Sequence, residues 1–364
     1  MTEYTQNDVV RVAKRMGNKK RSFLLVNPLQ GKHVPVDPDE CLSMMQELGM
    51  KVKETVPECG LVIGFAETAT AIGVVVAMAY GGNCRYIHTT RESLFGDNIS
   101  FREEHSHAVN QSLSIINLKQ YLSETDTVIF VDDEYTTGKT LFNVVAQLYD
   151  ILPEMKEKRI VAVSVLNQVT EENGIEFVSL VRPQFEMKQE DLSLEKPKKV
   201  YYPANPEIRL NYKRVPMFDI RYGAAIKEYD EKCHRLVAQG LPVVPDRENI
   251  LVLGTEEFMY PGLAFAKALK DRNGRRVSFH ATTRSPIAVS GEDGYPIFNG
   301  YEVPSFHDKN RKNYVYDLKK YDHAVILTDA KKIDPKDVVY FSELFSIYGI
   351  RDFTILHCPR ESGF

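Results

Sequence analysis

The 364-residue chain has no tryptophan, few cysteines and no long apolar run. Its five cysteines are odd in number, lie far apart and form no Cys-x-x-Cys pair, which excludes a disulfide framework and a zinc site built on such pairs. We therefore expect reduced cysteines and a cytoplasmic protein. No apolar stretch reaches the roughly 18 residues that a membrane span needs, and the polar N-terminus lacks the apolar core of a signal peptide.

A large excess of charge of one sign is also missing. The formal net charge is −4 and the isoelectric point is near 6.2, so nucleic acid is not an expected partner. The 21 glycines have no period and 43% of the residues are hydrophobic, which excludes collagen-like and disordered classes. This length and composition are typical of a globular protein with two domains.

Apolar runs of strand length alternate with amphipathic segments of helix length, which predicts an α/β fold. We expect two domains, each with a mostly parallel twisted sheet flanked by helices. Strands are predicted at residues 22–27, 60–65, 84–90, 127–132, 159–166, 248–254, 275–283 and 323–329. Helices are predicted at residues 38–50, 67–80, 105–122, 138–151, 219–239 and 262–271, and a last helix and strand precede the C-terminus.

The pattern changes after residue 182, where prolines and charged residues become frequent. Such a segment is typical of a connection between domains. It predicts a first domain over residues 1–190, a linker over 191–215 and a second domain over 216–364.

Three short strings recur in the same order in the two halves. The matched positions are Gly64 with Gly254, residues 89–91 with 282–284 (Thr-Thr-Arg in both), and Asp133 with Asp329. Generic strand–glycine–helix units would explain the glycines and the acids, whereas they leave the Thr-Thr-Arg strings unexplained. A second half that is a degenerate copy of the first accounts for all three matches.

The string Val128–Thr140 carries the most specific chemistry. An apolar strand delivers two carboxylates, Asp132 and Asp133, to the edge of a sheet where α/β proteins bind ligands. A loop of small hydroxylated residues with Gly138 follows and opens a helix. Its backbone amides, its threonine hydroxyls and the positive helix N-terminus make a phosphate pocket. The acids suit sugar hydroxyls or a divalent cation, so the string predicts a ligand with a ribose and a phosphate.

Two other interpretations of this string exist. Gly138-Lys139-Thr140 looks like the end of a Walker A loop, but that motif needs a glycine at position 133, where this chain has aspartate. The P-loop is therefore excluded. A strand followed by a capped helix would explain single aspartates or threonines. It does not explain the complete string.

The string DDEYTTGKT resembles the loop with which type I phosphoribosyltransferases bind phosphoribosyl pyrophosphate (PRPP). Thr283-Arg284-Ser285-Pro286 adds a resemblance to one branch, the orotate-phosphoribosyltransferase-like proteins of tellurium-resistance and stress gene clusters, whose C-terminal domain is named after this TRSP motif. The resemblance covers nearly the whole chain. It implies a type I phosphoribosyltransferase domain followed by a TRSP-like α/β domain. It also implies a pentosyltransferase of nucleotide metabolism that uses Mg²⁺, PRPP and a small base acceptor, and it is compatible with a homodimer.

For the PRPP loop, the resemblance assigns Asp132 and Asp133 to the ribose hydroxyls and to Mg²⁺, which they would contact directly or through water. It assigns the 5′-phosphate to Thr136, Thr137, Gly138, Lys139 and Thr140. Purine-salvage members usually place an aspartate base where Thr136 stands. The resemblance therefore implies an acceptor whose nucleophile is already anionic or acidic, as in orotate-type chemistry.

The turn after Gly64 stands where the family keeps its pyrophosphate loop, which implies this role for Ala66, Glu67 and Thr68. Backbone amides at such a turn can hold phosphate groups. A plain strand–helix turn is the alternative, and Glu67 would have to point away from pyrophosphate or meet Mg²⁺.

A polar stretch without periodicity follows Arg91 and suits a mobile lid, and the resemblance implies that it closes over the reacting sugar. Arg91, Arg102, His105 and His107 are predicted to neutralise the departing pyrophosphate, and the two arginines join the acid pair as predicted catalytic residues. A solvated loop face is the alternative for each. Metal ligation is another alternative for the two histidines, although no third ligand accompanies them in the sequence.

Lys32 and His33 lie in a segment rich in proline and polar residues, at residues 27–38. Because the hood over the base lies outside the nucleotide core in this fold, these two residues are candidates for acceptor binding. A surface loop is the alternative.

The leading hypothesis is transfer of phosphoribose from PRPP to a base-like acceptor, with release of pyrophosphate. A non-catalytic PRPP-binding or nucleotide-binding regulator is the alternative, and the several cations of the predicted lid favour the enzyme. In the second domain Asp329-Ala-Lys-Lys replaces the phosphate loop, so we expect no PRPP there. A supporting role, a second ligand or the docking of a partner is expected for that domain.

Overall fold

The structure of the protein is a computed structural model that describes residues 3–17, 22–101, 111–183, 193–201 and 208–360, without the side chain of Asn273. The helices are α1 (Gln6–Val9), α2 (Pro38–Thr55), α3 (Thr70–Tyr80), α4 (Leu118–Ser123), α5 (Lys139–Ile151), α6 (Ile226–Gly240), α7 (Met259–Asn273) and α8 (Pro335–Ile347). The strands are β1 (Arg11–Lys14), β2 (Phe23–Val26), β3 (Leu61–Gly64), β4 (Arg85–His88), β5 (Asn98–Phe101), β6 (Gln111–Ser114), β7 (Thr127–Tyr135), β8 (Arg159–Asn167), β9 (Glu176–Val181), β10 (Leu210–Arg214), β11 (Ala224–Ala225), β12 (Asn249–Gly254), β13 (Arg276–Ala281), β14 (Gly300–Pro304), β15 (Lys312–Tyr316), β16 (His323–Thr328) and β17 (Phe353–His357).

The chain divides into two compact units. The first contains residues 1–6, 42–185 and 219–231, and the second contains residues 7–41, 186–218 and 232–364. This division differs from the predicted one in two segments. Residues 7–41, predicted in the first domain, pack in the second unit, and residues 219–231, predicted in the second domain, pack in the first unit.

The first unit is built on a six-stranded sheet in the order β11-β4-β3-β7-β8-β9. All neighbouring strands are parallel except β11, which pairs antiparallel with β4. All four residues of β3 are apolar or glycine and are buried, as expected for a parallel strand covered on both faces. Phe130 of β7 shares a core with Leu141 and Leu148 of the following helix α5.

The second unit has a five-stranded parallel sheet in the order β10-β17-β16-β12-β13. The antiparallel pair β1–β2 belongs to this unit, where Leu24 and Val26 share a core with Ile287 and Tyr316. The predicted α/β class, with two mostly parallel sheets, is confirmed. No helix among the described residues is long and apolar enough to cross a bilayer.

The strand orders of the two units agree with the repeat in the sequence. The order is β4-β3-β7-β8 in the first sheet and β13-β12-β16-β17 in the second. Gly254 ends β12, Thr282 follows β13 and Asp329 follows β16, so the matched strings stand at equivalent ends of equivalent strands.

Three predicted elements differ from the structure. The helix predicted at 105–122 is wrong over residues 111–117, because β6 pairs with β5 and the helix α4 begins only at Leu118. The helix predicted at 219–239 begins at Ile226, since Gly223 has a positive φ and the next two residues pair with β4. The predicted linker contains β10, which forms the edge of the second sheet.

Candidate active site

The acid pair stands where β7 leaves the core of the first unit. Residues 127–131 of β7 are buried, whereas Asp132 and Asp133 are half-buried. The backbone amide of Asp133 donates a 2.9 Å hydrogen bond to Oδ1 of Asp132. One carboxylate is thus held by the backbone of its neighbour, and both lie at the carboxyl end of a central strand, where this sheet type binds ligands.

The loop between β7 and α5 is fixed by a buried side chain and opened by a glycine. β7 continues to Tyr135, whose hydroxyl donates a 3.1 Å hydrogen bond to the carbonyl of Phe130. Burial, together with the charges of Asp132 and Asp133, raises the pKa of Tyr135 well above its ordinary value, so its hydroxyl keeps its proton. Gly138 then caps α5 in the left-handed conformation, with φ of +72°.

The N-cap residue of α5 is Gly138, which has no side chain to cap the helix, and the amide of Lys139 makes only a long 3.5 Å hydrogen bond to Oγ1 of Thr137. Thr137 and Lys139 are exposed, and Thr136 and Thr140 are half-buried. Helix N-termini carry partial positive charge and amide donors that a cap or an anion normally satisfies. The hydroxyls, the amides and the helix end therefore converge on a place suited to an anion.

The loop after β3 meets the acid pair across the crevice between β3 and β7. Thr68 donates a 2.8 Å hydrogen bond from Oγ1 to Oδ1 of Asp133. β4, the next strand of this sheet in the chain, pairs with one edge of β3, and the following one, β7, pairs with the other edge. The strand order therefore reverses at β3, and the topological switch point of the sheet lies here. The predicted PRPP loop and the predicted pyrophosphate loop thus lie side by side.

The same loop is anchored by two side chains. The amide of Ala66 donates to Oγ1 of Thr89 at 2.8 Å, and the carbonyl of Ala66 accepts from Nε2 of Gln111 at 2.7 Å. Thr89 and Gln111 are also hydrogen-bonded to each other, and both are fully buried. Glu67 follows through a cis peptide bond and is buried. Sequence reasoning missed Gln111, because a single glutamine in a polar stretch gives no signal.

The predicted lid region contains a two-stranded hairpin, β5–β6. Thr90 and Ser112 exchange two backbone hydrogen bonds of 2.8 Å at its base, and the half-buried Arg91 follows directly. Arg102, His105 and His107 lie outside the described residues.

A segment from residues 219–225 supports this base, and sequence reasoning missed it. Arg221 is buried, and its Nε donates a 3.0 Å hydrogen bond to Oγ1 of Thr90. Tyr222 accepts from the amide of Phe95 through its hydroxyl at 2.7 Å and from Nδ2 of Asn117 through its carbonyl at 3.0 Å. Nothing in a proline-rich connection indicates that the chain returns to the first sheet afterwards.

Lys32 and His33 belong to the second unit. Lys32 is fully buried, and its Nζ donates to the carbonyls of Glu256 and Thr282 at 2.8 and 2.9 Å. His33 is buried as well. Their predicted role in acceptor binding stays a prediction.

No group of three or more metal-ligating side chains occurs among the described residues. Magnesium, however, is usually held by one or two carboxylates together with substrate phosphates and water. Asp132 and Asp133 fit such a role, because they are adjacent and half-buried and Thr68 engages only one carboxylate oxygen of Asp133 in the described part of the chain.

Family models match both parts of the chain. A model described as phosphoribosyl transferase matches residues 9–194, which is more than half of the chain. A second model, described as the TRSP domain C-terminal to that transferase, matches residues 220–344. No curated protein matches the sequence.

Several solved phosphoribosyltransferases resemble part of the chain. The adenine phosphoribosyltransferase of Thermoanaerobacter pseudethanolicus is 14% identical over 48% of this chain and 95% of its own, with a TM-score of 0.34. That of Trypanosoma brucei, in complex with AMP, pyrophosphate and ribose-5-phosphate, is 15% identical over 48% and 76%, with a TM-score of 0.33. The orotate phosphoribosyltransferase of Aeropyrum pernix is 16% identical over 48% and 88%, with a TM-score of 0.30. Because these TM-scores are low, the assignment rests on the family models. The chain belongs to the phosphoribosyltransferase family, whose members are enzymes of the pentosyltransferase type, and it carries a TRSP domain after the transferase domain.

Proposed function

We propose that this protein transfers phosphoribose from PRPP to a base-like acceptor and releases pyrophosphate. The observation that carries the proposal is the crevice between β3 and β7. There the acid pair, an α5 N-terminus whose N-cap is a glycine and the anchored loop after β3 lie together, and Thr68 joins the two loops. Such an arrangement matches a ligand with a ribose between two phosphate groups.

Asp132 and Asp133 hold the ribose hydroxyls while the sugar reacts. Carboxylates accept hydrogen bonds from a diol, and their negative charge favours the positive charge that develops on an oxocarbenium-like ring. The hydrogen bond from Thr68 and the bond between the two aspartates keep the carboxylates in place before the substrate arrives. Pre-set groups of this kind lower the barrier because they need no reorganisation during the reaction.

The loop Thr136–Thr140 holds the 5′-phosphate. The end of α5 offers backbone amides and partial positive charge, and Lys139 adds a full charge. Thr136, Thr137 and Thr140 add hydroxyls. Gly138 permits the turn, because a side chain there would need φ of +72° and would meet the ring of Phe142.

The loop of Ala66, Glu67 and Thr68 holds the pyrophosphate group. The backbone amide of Ala66 already donates its hydrogen bond to Thr89. We therefore assign the phosphate contacts to the amides that follow Ala66. Arg91 lies at the base of the lid hairpin and neutralises charge on the leaving group, together with Arg102, His105 and His107.

Mg²⁺ would be held by Asp132 and Asp133, directly or through water, and would supply positive charge near the pyrophosphate. Glu67 then faces either this cation or the protein. The acceptor is assigned to the orotate-like class, with a nucleophile that is already anionic or acidic, because Thr136 cannot act as a base. A cytoplasmic homodimer in a tellurium-resistance or stress context is the setting that the resemblance implies.

The test is incubation of the full chain with PRPP, Mg²⁺ and a panel of pyrimidine, purine and other acidic heterocyclic acceptors. We expect pyrophosphate release that depends on one acceptor class and is lost in Asp133→Asn. Asp126→Asn changes an exposed aspartate directly before the same strand and serves as the control. Tight PRPP binding without release on any acceptor would support the non-catalytic regulator instead, and absence of PRPP binding would contradict both functions.

A further inference from the structure

The second unit repeats the hydrogen bonds of the candidate site. In the first unit the amide of Ala66 donates to Oγ1 of Thr89, which in turn donates its own amide to the carbonyl of Gly64. In the second unit the amide of Glu256 donates to Oγ1 of Thr282, whose amide donates to the carbonyl of Gly254. The distances are 2.8 to 2.9 Å in all four cases. Glu256 therefore stands in the position of Ala66.

The lid hairpin is repeated as well. Thr90 and Ser112 exchange backbone hydrogen bonds at the base of β5–β6, and Thr283 and Tyr314 do the same at the base of β14–β15. Arg284, the arginine of the TRSP motif, thus stands in the position of Arg91.

The register extends to the buried amide side chain that anchors the loop. Gln111 precedes Ser112 and binds the carbonyl of Ala66. Asn313 precedes Tyr314 and donates to Oε1 of Glu256 at 2.9 Å. The second hairpin is therefore attached to the side chain of Glu256, where the first is attached to a backbone carbonyl.

The carboxylate of Glu256 is surrounded by cationic and hydrogen-bond-donating side chains. Its Oε2 accepts from Arg284 at 3.1 Å and from Arg311 at 2.5 Å, and its Oε1 also accepts from Ser305. The carboxylate is buried. Burial alone would raise its pKa, but the neighbouring His307, Arg284 and Arg311 and the Ser305 hydroxyl lower the pKa of Glu256 to about 2. Glu256 is therefore ionised at neutral pH. Two of its partners, Ser305 and Arg311, lie in the segment that connects β14 to β15.

The N-terminus of α8 corresponds to the proposed 5′-phosphate site at the N-terminus of α5. There too a carboxylate of the chain takes the place of a phosphate. In the first unit the N-cap of α5 is Gly138, which has no side chain, and Thr137 accepts only a long 3.5 Å hydrogen bond from the amide of Lys139. In the second unit Asp334 caps α8 and accepts a 3.0 Å hydrogen bond from the amide of Lys336. A capping aspartate satisfies the donors that a phosphate would need.

We propose that the second unit keeps a pyrophosphate-type anion site in which the carboxylate of Glu256 takes the place of the ligand and holds the hairpin β14–β15 against the crevice. The identity of this anion, pyrophosphate, rests on the proposed function of the first unit. The rest of the inference does not depend on that function. The second unit then needs no ligand to order its lid, and the chain has one PRPP site.

The test replaces the built-in anion with one from solution. Glu256→Ala leaves Arg284 and Arg311 facing a gap of carboxylate size. Hydrogen exchange of peptides covering residues 300–316 is measured with sodium pyrophosphate, with acetate, and with chloride at equal ionic strength. We expect exchange in the variant to rise by about tenfold or more, since the hairpin loses its anchor. Pyrophosphate or acetate should restore protection, chloride should not, and none should change the wild-type hairpin.

Glu302→Ala is the matched control. Glu302 lies on the same hairpin and pairs with Lys199 and Lys312 at the surface. Its loss should give no rescue by pyrophosphate. If Glu256→Ala does not fold, Glu256→Gln keeps the volume without the charge, so exchange should still rise, but no anion should reverse it because no gap opens.

Two outcomes would overturn the proposal. One is unchanged exchange in the Glu256 variants, or faster exchange in Glu256→Ala that no anion reverses. The other is added protection of the wild-type hairpin by pyrophosphate, which would mean that the site is open to ligands. Since only peptides of the second unit are read, the result is independent of whether the first unit transfers phosphoribose.

Discussion

Thr68 and Asp133 lie 65 residues apart in the chain and are joined by a 2.8 Å hydrogen bond from Oγ1 to Oδ1. This bond spans the crevice between two neighbouring parallel strands and connects the loop assigned to pyrophosphate with the acids assigned to ribose. It orients the side chain of Asp133, whose Oδ1 accepts the hydrogen bond from the hydroxyl. On the proposed assignments, the bond would fix the position of the sugar relative to that of the leaving group.

The bond itself gives the first prediction. Thr68→Val keeps the shape of the side chain and removes the hydroxyl, so Asp133 loses its partner. We expect PRPP affinity to fall by roughly five- to tenfold, which corresponds to the approximately 1 kcal/mol of a typical hydrogen bond. Isothermal titration with PRPP and Mg²⁺ measures this change. Thr68→Ser retains the hydroxyl and should bind nearly as well as the wild type, and equal loss in both variants would point to packing instead.

The acid pair gives the second prediction. At PRPP concentrations of about 100 times Kd, binding should stabilise the folded chain by about 2.7 kcal/mol and raise its Tm. The double variant Asp132→Asn, Asp133→Asn should lose this shift while it keeps its own unliganded Tm near that of the wild type, because both side chains are half-buried at the end of a strand. An unchanged shift in thermal unfolding would contradict the assignment of the site.

The third prediction separates backbone strain from phosphate binding. Gly138→Ala places a side chain at φ of +72°, within 2.7 Å of the ring of Phe142. A left-handed alanine costs roughly 1 kcal/mol or more, and the contact adds to this. We expect lower stability and weaker PRPP binding. Gly174→Ala is the control, because Gly174 has φ of +78° with nothing near its added Cβ. It should lose stability alone, and equal PRPP affinities in the two variants would argue against a phosphate role for Gly138.

The local structure of the predicted PRPP loop could be anticipated from the sequence because all of its determinants are local. An apolar strand, two acids and a Thr-Gly turn lie within one short string, and the structure places them at the end of β7 and the start of α5. The anchors of the crevice could not be predicted in this way. Gln111 and Arg221 act through contacts with Ala66 and Thr90, which are distant in sequence, and neither belongs to a periodic pattern.

The domain boundaries show the same limit. Composition identified a proline-rich connection, but β10 within it joins the second sheet, and β11 after it joins the first. Edge strands of two to five residues carry too little pattern to be distinguished from loops by periodicity. Their pairing depends on a sheet edge that is formed elsewhere in the chain.

The fourth prediction concerns the lid. Arg91 lies directly after Thr90, whose hydroxyl accepts from Arg221, so its backbone is well supported. If Arg91 meets charge that grows on the leaving pyrophosphate, Arg91→Ala should lower kcat by about tenfold to a hundredfold and change PRPP affinity much less. Arg102→Ala should behave in the same way. Steady-state kinetics and titration separate the two effects, with the exposed Arg182→Ala as control. Equal losses in kcat and affinity would indicate binding of the ground state.

The last prediction concerns pH and the buried His33 of the second unit. Burial, with smaller effects of Lys32, His280 and Arg15, lowers the pKa of His33 from 6.5 to about 3. The folded state therefore favours the neutral ring. Its contribution to stability is fully present above pH 6.5 and is lost as the pH falls toward 3, because the unfolded chain binds the proton first. At pH 5 the loss from His33 should be roughly 2 kcal/mol. His280, whose pKa is lowered by burial to about 4, acts in the same direction.

Urea unfolding at pH 7 and pH 5 should show a smaller difference in the free energy of unfolding in His33→Phe than in the wild type. His234→Phe, which changes an exposed histidine, should keep the wild-type difference. A wild-type slope in His33→Phe would mean that His33 is protonated in the folded protein and that another group sets the acid sensitivity.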